Sequence, residues 1–114
     1  MAPPAASRAL QAERRGFPRY RVNAQALWST NGTEVRYAVC NLSWGGASLI
    51  VGPLVLQAGT RLQVRLTRPT HELGSAHVEV IHLTDRRMGL RFLQIDDDLR
   101  QALEELFAEL TPLQ

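Results

Sequence analysis

Two short stretches of this sequence carry the residue types best suited to chemistry. The first is Arg14-Arg15-Gly16-Phe17-Pro18-Arg19-Tyr20-Arg21, in which Arg15 and Arg19 lie four positions apart and Arg14 comes directly before. Guanidinium groups are flat, permanently charged forks of donors that match phosphate and carboxylate oxygens. Gly16 and Pro18 argue against a helix or a central strand, so the stretch reads as an ordered loop. On such a loop the three arginines can converge on one dianion. The second stretch is Asn41-Leu42-Ser43-Trp44-Gly45-Gly46. An amide and a hydroxyl two residues apart interrupt a strand, and Gly45 and Gly46 allow close backbone approach. Such a bend can present side-chain oxygens and backbone N–H groups to a planar polar ligand. Either stretch alone is commonplace, because terminal arginines are usually solvated and polar glycine turns are usually only turns. Their occurrence about 22 residues apart, ahead of a run of strands, makes the pair informative.

The elements that must position them follow from periodicity. Alternation starts at Val22, with Val22, Ala24, Ala26 and Trp28 on one side and Asn23, Gln25 and Ser29 mostly on the other. Asn31-Gly32 is a two-residue hairpin signal, and a return strand is expected over 33–40. The bend at 41–46 breaks it, and 47–51 resumes. Thr60–Thr67 alternates cleanly, with Leu62, Val64 and Leu66 inward. A turn is expected over 69–74, and 75–83 and 87–94 form a last pair. The period then becomes helical. Asp96, Asp97 and Asp98 suit a helix N-terminus, and Leu99, Leu103, Leu106 and Leu110 fall on one stripe with Ala102 and Phe107 beside it. Thr111-Pro112 ends the helix. The pattern predicts an all-β, six- to seven-stranded antiparallel barrel with a C-terminal α-helix. The expected organisation is a flexible N-terminal tail over 1–13, with at most a helical turn at 7–13, a domain over 14–110 and a C-terminal tail over 111–114.

Composition narrows the class. The 114 residues are 45% hydrophobic and 21% charged, enough for one core without disulfides. Cys40 is alone, so no intrachain disulfide forms, which suits a reducing cytoplasm. Neither a long apolar run nor the apolar stretch of a signal peptide is present, so a cytosolic protein is expected. All thirteen basic residues are arginine, and the net charge of +2 is unevenly laid out. Residues 1–21 sum to +4 and residues 96–110 to −5. A cationic N-terminal segment suits an anionic partner.

The double motif resembles the PilZ domain family, whose signature is RxxxR, often RRxxxR, followed by (D/N)xSxxG after the first hairpin. Arg14-Arg15-Gly16-Phe17-Pro18-Arg19 matches the first part and Asn41-Leu42-Ser43-Trp44-Gly45-Gly46 the second, while Met88-Gly89-Leu90-Arg91-Phe92 is similar to the family's late strand. The resemblance spans about residues 13–110. It implies a receptor for the bacterial second messenger cyclic di-GMP, with no other cofactor. By motif position, Arg14, Arg15 and Arg19 would hold phosphates and a guanine edge, and Asn41, Ser43 and Gly46 would meet a guanine and its ribose. The paired arginines imply an intercalated ligand dimer. Guanine O6 and N7 suit a bidentate guanidinium, which can also stack on a purine face. Asn41 offers a neutral acceptor where aspartate would offer a charged one, so a weaker grip is expected. A mobile arm that orders on binding would pass the signal to a protein effector that the sequence does not identify.

Other residues carry less. Arg21, Trp44 and Gly45 are secondary candidates: Arg21 could assist the ligand, and Trp44 could stack on it or pack against the barrel. Trp28 is read as core and Cys40 as a filler without an activating neighbour. His71, His77 and His82 lack metal spacing; His77 and His82, an odd number apart, are expected on opposite faces of a regular strand. Asp96–Asp98 reads as a helix cap, so no metal is expected. No nucleophile–base pair, no phosphate-binding glycine loop before a helix and no metal set is present, which argues against an enzyme. A ligand-independent interaction domain of the same fold is the main alternative. A nucleic-acid-binding barrel is disfavoured by the acidic helix and the lack of an aromatic-basic stacking surface.

Overall fold

A computed structural model describes residues 17–52 and 56–113. The tail at 1–13, the helical turn expected there, Arg14, Arg15 and Gly16 lie outside the described residues, as does part of the connection after Gly52. Six strands are described: β1 (Gln25–Thr30), β2 (Thr33–Ser43), β3 (Gly46–Ile50), β4 (Arg61–Arg68), β5 (His71–Leu83) and β6 (Arg87–Ile95). A helix, α1 (Asp97–Glu109), follows. All strand pairs are antiparallel, and the order β1-β2-β3-β6-β5-β4 closes into a barrel through β1 and β4. The six-stranded barrel and its C-terminal helix match the architecture expected from the hydrophobic pattern.

Local chemistry explains the tight connections. Asn31 and Gly32 both have positive φ, 51° and 78°, as a type I′ turn between β1 and β2 demands. The alternating apolar residues fill the barrel: Ala26, Leu42, Leu49, Val64, Leu66, Val78, Val80 and Met88 are fully buried, and Trp28 is core. Asp96 caps α1 by accepting from the backbone N–H of Leu99 at 2.8 Å and from that of Ser75 at 3.1 Å. Leu99, Leu103, Leu106 and Phe107 turn the apolar stripe of α1 into the same core.

Three boundaries differ from the alternation pattern. β1 begins at Gln25, although Val22 and Ala24 are buried as expected. β2 does not stop at Cys40 but runs through Ser43, because a bulge between Val39 and Asn41 absorbs the irregularity within the ladder. β5 starts at His71 rather than Ser75, so the turn is only Pro69-Thr70. Gly74 lies inside β5 with φ of +151°, next to a second register shift at Leu66/Thr67. A Cβ there would sit 2.4 Å from the backbone nitrogen of Leu99, so glycine lets the start of α1 rest directly on β5.

Candidate ligand-binding site

The residues after the arginine loop reach the barrel as an extra pairing on β2. Tyr20 and Leu42 exchange backbone hydrogen bonds of 2.8 and 2.9 Å. This bridge fixes the neighbours of both residues, and it sets Arg19 beside Asn41. The Arg19 guanidinium donates from Nη1 to Asn41 Oδ1 at 2.6 Å, in a half-buried setting. The two parts of the double motif therefore meet in space, which one-dimensional spacing could only suggest. Asn41 orients Arg19 without neutralising it, so the guanidinium keeps its full charge for an anion.

Below this pair runs a row of outward-facing residues across four strands. Asn41 on β2 pairs with Ser48 on β3, Ser48 with Gly89 on β6, and Gly89 with His82 on β5. They floor a shallow hollow of about 280 Å³ that Arg19 and Ile81 also line. Small residues in the middle of the row and larger ones at its ends make the concavity. Its walls are polar at the Arg19 end and mixed at the Ile81 and His82 end. A planar heteroaromatic ring carrying negative charge nearby fits such a surface: the flat floor takes a face, and Arg19 takes an anionic or carbonyl edge.

The remaining motif residues are held within the bend itself. Ser43 is 2% exposed, and its hydroxyl is engaged within the turn. It accepts from the Gly45 N–H at 3.1 Å and donates to the Gly46 carbonyl at 3.4 Å. Gly46 is buried where β3 pairs with β6; an added Cβ would lie 1.9 Å from the Leu90 carbonyl oxygen. The Gly45 carbonyl accepts from the Phe92 N–H at 2.9 Å. Ser43, Gly45 and Gly46 thus build the bend and let two strands approach. Trp44 packs edge-on against Phe107 of α1, with ring centroids 5.5 Å apart at 84°, and Tyr20 stacks on the same Phe107 at 4.3 Å and 12°. Arg21 is exposed on the other side of Tyr20.

Features around the hollow escaped the sequence reading. His77 and His82 both face solvent, because a bulge at Ile81 between Val80 and His82 adds one residue and flips the alternation that an unbroken strand would have kept. Cys40, the bulged residue of β2, accepts a hydrogen bond from Arg87 Nη1 at 3.0 Å. In the row beyond Gly46, Arg91 forms an ion pair with Glu79. Ser48 and His82 gave no signal of their own; only strand register brings them to Asn41. Among the described residues, no three His, Cys, Asp or Glu side chains are grouped as metal ligands would be. Also among them, no helix is long and apolar enough to cross a membrane.

The chain is thus a small closed antiparallel barrel with a basic residue of its N-terminal segment meeting an amide on the outer wall and a helix against its core. The family model of the PilZ domain matches residues 13–109, and the chain belongs to that family. Solved structures agree on the fold. The PilZ domain with c-di-GMP of YcgR from Escherichia coli superposes with a TM-score of 0.67 at 18% identity, over 83% of this chain and 90% of that one. The Bacillus subtilis inhibitor of motility, MotI/DgrA, gives 0.66 at 19%, over 84% and 53%. The MrkH–c-di-GMP complex of K. pneumonia gives 0.67 at 16%, over 84% and 51%. The chain therefore spans about half the length of the last two. No curated protein matches the sequence.

Proposed function

We propose that this chain is a receptor for cyclic di-GMP that signals to a protein partner in the bacterial cytosol, and that it is not a catalyst. The observation that carries the reading is the meeting of Arg19 with Asn41 at the rim of the hollow floored by Ser48 and Gly89. The ligand presents two phosphodiester charges and two guanine faces, and this arrangement supplies a cation, an amide and a flat floor. Arg14 and Arg15 join Arg19 on the phosphates and a guanine edge, and the paired arginines favour an intercalated ligand dimer. Asn41 faces a guanine. Ser43 and Gly46 serve by shaping the bend, with Gly46 keeping β3 close to β6.

The signal leaves through the arm. The Arg19 carbonyl accepts from the Leu113 N–H at 2.7 Å, just beyond α1, and Tyr20 stacks on Phe107 within α1. Closure of the arm on the ligand therefore pulls on the helix and its C-terminal extension, where an effector can read the change. Two of the structural relatives hold c-di-GMP, which supports the ligand assignment.

Calorimetry with purified protein and cyclic di-GMP tests the reading. Wild type should bind, and Arg19→Ala, which removes one charge-assisted contact of about 1.5–3 kcal/mol, should bind about ten- to a hundredfold more weakly. A ligand-independent interaction domain predicts no binding by either protein, and equal binding by both contradicts the role given to Arg19.

A further inference from the structure

Resting on the receptor reading above, we propose that His82 is a second, proton-dependent ligand contact, so that this domain grips its dianion more tightly as pH falls. His82 pairs with Gly89 across β5 and β6, and its ring lies over that glycine. A Cβ built on Gly89 would stand 3.7 and 3.8 Å from His82 Cδ2 and Cγ. The imidazole therefore forms the wall of the hollow opposite the Arg19–Asn41 pair, on the same four-strand row. The bulge at Ile81 puts it there: with one residue fewer, His82 would point into the barrel.

A ligand seated on Ser48 and Gly89 would lie between a permanent cation and a titratable one. Histidine changes charge near a pH of about 6.5, while the phosphodiesters and guanines of the ligand keep one charge state across the surrounding range. Among the described residues, the charged groups on the elements around His82 are engaged with other side chains or exposed to solvent. Arg19 from the arm is engaged with Asn41. On β2 and β6, Arg87 donates to Cys40. One row away, Glu79 of β5 is occupied by Arg91 of β6. Asp85 lies in the β5–β6 turn and is exposed. An imidazolium at this rim adds attraction to the dianion and a donor for a phosphate or carbonyl oxygen. Affinity is then highest where the ring is protonated, and it declines as pH rises.

The test measures cyclic di-GMP affinity from about pH 5.5 to about pH 7.5, a range that spans the ordinary histidine titration. Wild-type affinity should fall about fivefold across it, a rim ion pair being worth up to about that factor. His82→Gln should be flat at the weaker, high-pH level, and His82→Arg flat at the tighter, low-pH level. His71→Gln and His77→Gln should keep the wild-type slope. A flat wild-type profile, or a slope that survives in His82→Gln, overturns the role of His82 and leaves the receptor reading standing. Absence of wild-type binding at every pH overturns both.

Discussion

Replacing Gly46 by alanine separates the structural part of the motif from the part that meets ligand. Gly46 opens β3, paired with Ser43 on one side and Arg91 on the other. The added Cβ would sit 1.9 Å from the Leu90 carbonyl oxygen, 3.0 Å from its carbon and 3.2 Å from the Arg91 Cα. All three are backbone atoms, so no side-chain rotation relieves the overlap. Reaching an ordinary contact of 3.4 Å requires β3 and β6 to part by about 1.5 Å at this point. A hydrogen bond of 2.9 Å, such as that from Phe92 N–H to the Gly45 carbonyl, does not survive that parting. One or two ladder bonds at about 1 kcal/mol each, with overpacking strain of about 1–3 kcal/mol, give a loss of about 3 kcal/mol. That is a large share of the roughly 5–15 kcal/mol by which domains are stable, and it corresponds to a drop in Tm of about 10–15 °C. Urea and thermal unfolding of the ligand-free protein measure it. Gly52→Ala is the control, since a Cβ there meets nothing within 4 Å among the described residues. Equal melting of Gly46→Ala and Gly52→Ala would refute the packing argument and return Gly46 to a purely ligand-facing role.

Other perturbations divide the molecule in the same way. Asn41→Ala removes the acceptor that holds Arg19 and should weaken cyclic di-GMP binding about tenfold, by roughly the worth of one charge-assisted hydrogen bond, while the melting curve stays within about 0.5 kcal/mol of wild type. Asp96→Ala removes the acceptor for the Leu99 and Ser75 N–H groups and should cost about 1–2 kcal/mol in urea unfolding, with ligand affinity unchanged by calorimetry.

Much of the fold was legible because its signals are local. Asn31-Gly32 requires a particular turn, the inward residues of β4 alternate strictly, and Asp96 precedes a helical stripe; each of these needs only a few neighbouring residues. The arginine and Asn41 motifs were legible for the same reason. What alternation alone could not supply were the bulges. The bulge between Val39 and Asn41 keeps Asn41 and Ser43 within β2, where the polar and glycine residues read as a break. The bulge at Ile81 reverses the side on which His82 appears. Gly74 reads as part of a turn by its residue type, but its reason is the approach of α1 to β5, a long-range contact. Ser48 is unremarkable in the chain, and it joins Gly89 as a floor only through register across three strand pairs. The division of labour inside the second motif, with Asn41 on the hollow and Ser43 turned into the bend, likewise depends on three-dimensional closure.

In the proposed receptor, the arm and the bend close on the same bound cyclic di-GMP over the β2-β3-β6-β5 wall. Amide NMR during titration with cyclic di-GMP locates that contact residue by residue. The largest shifts should fall at Arg19, Asn41, Ser48, His82 and Gly89, with a smaller set reaching Phe107 and Leu113 through the Tyr20 and Arg19 contacts. Shifts confined to the β1–β4 side, around Leu27 and Arg65, or no shifts at saturating ligand, would contradict it.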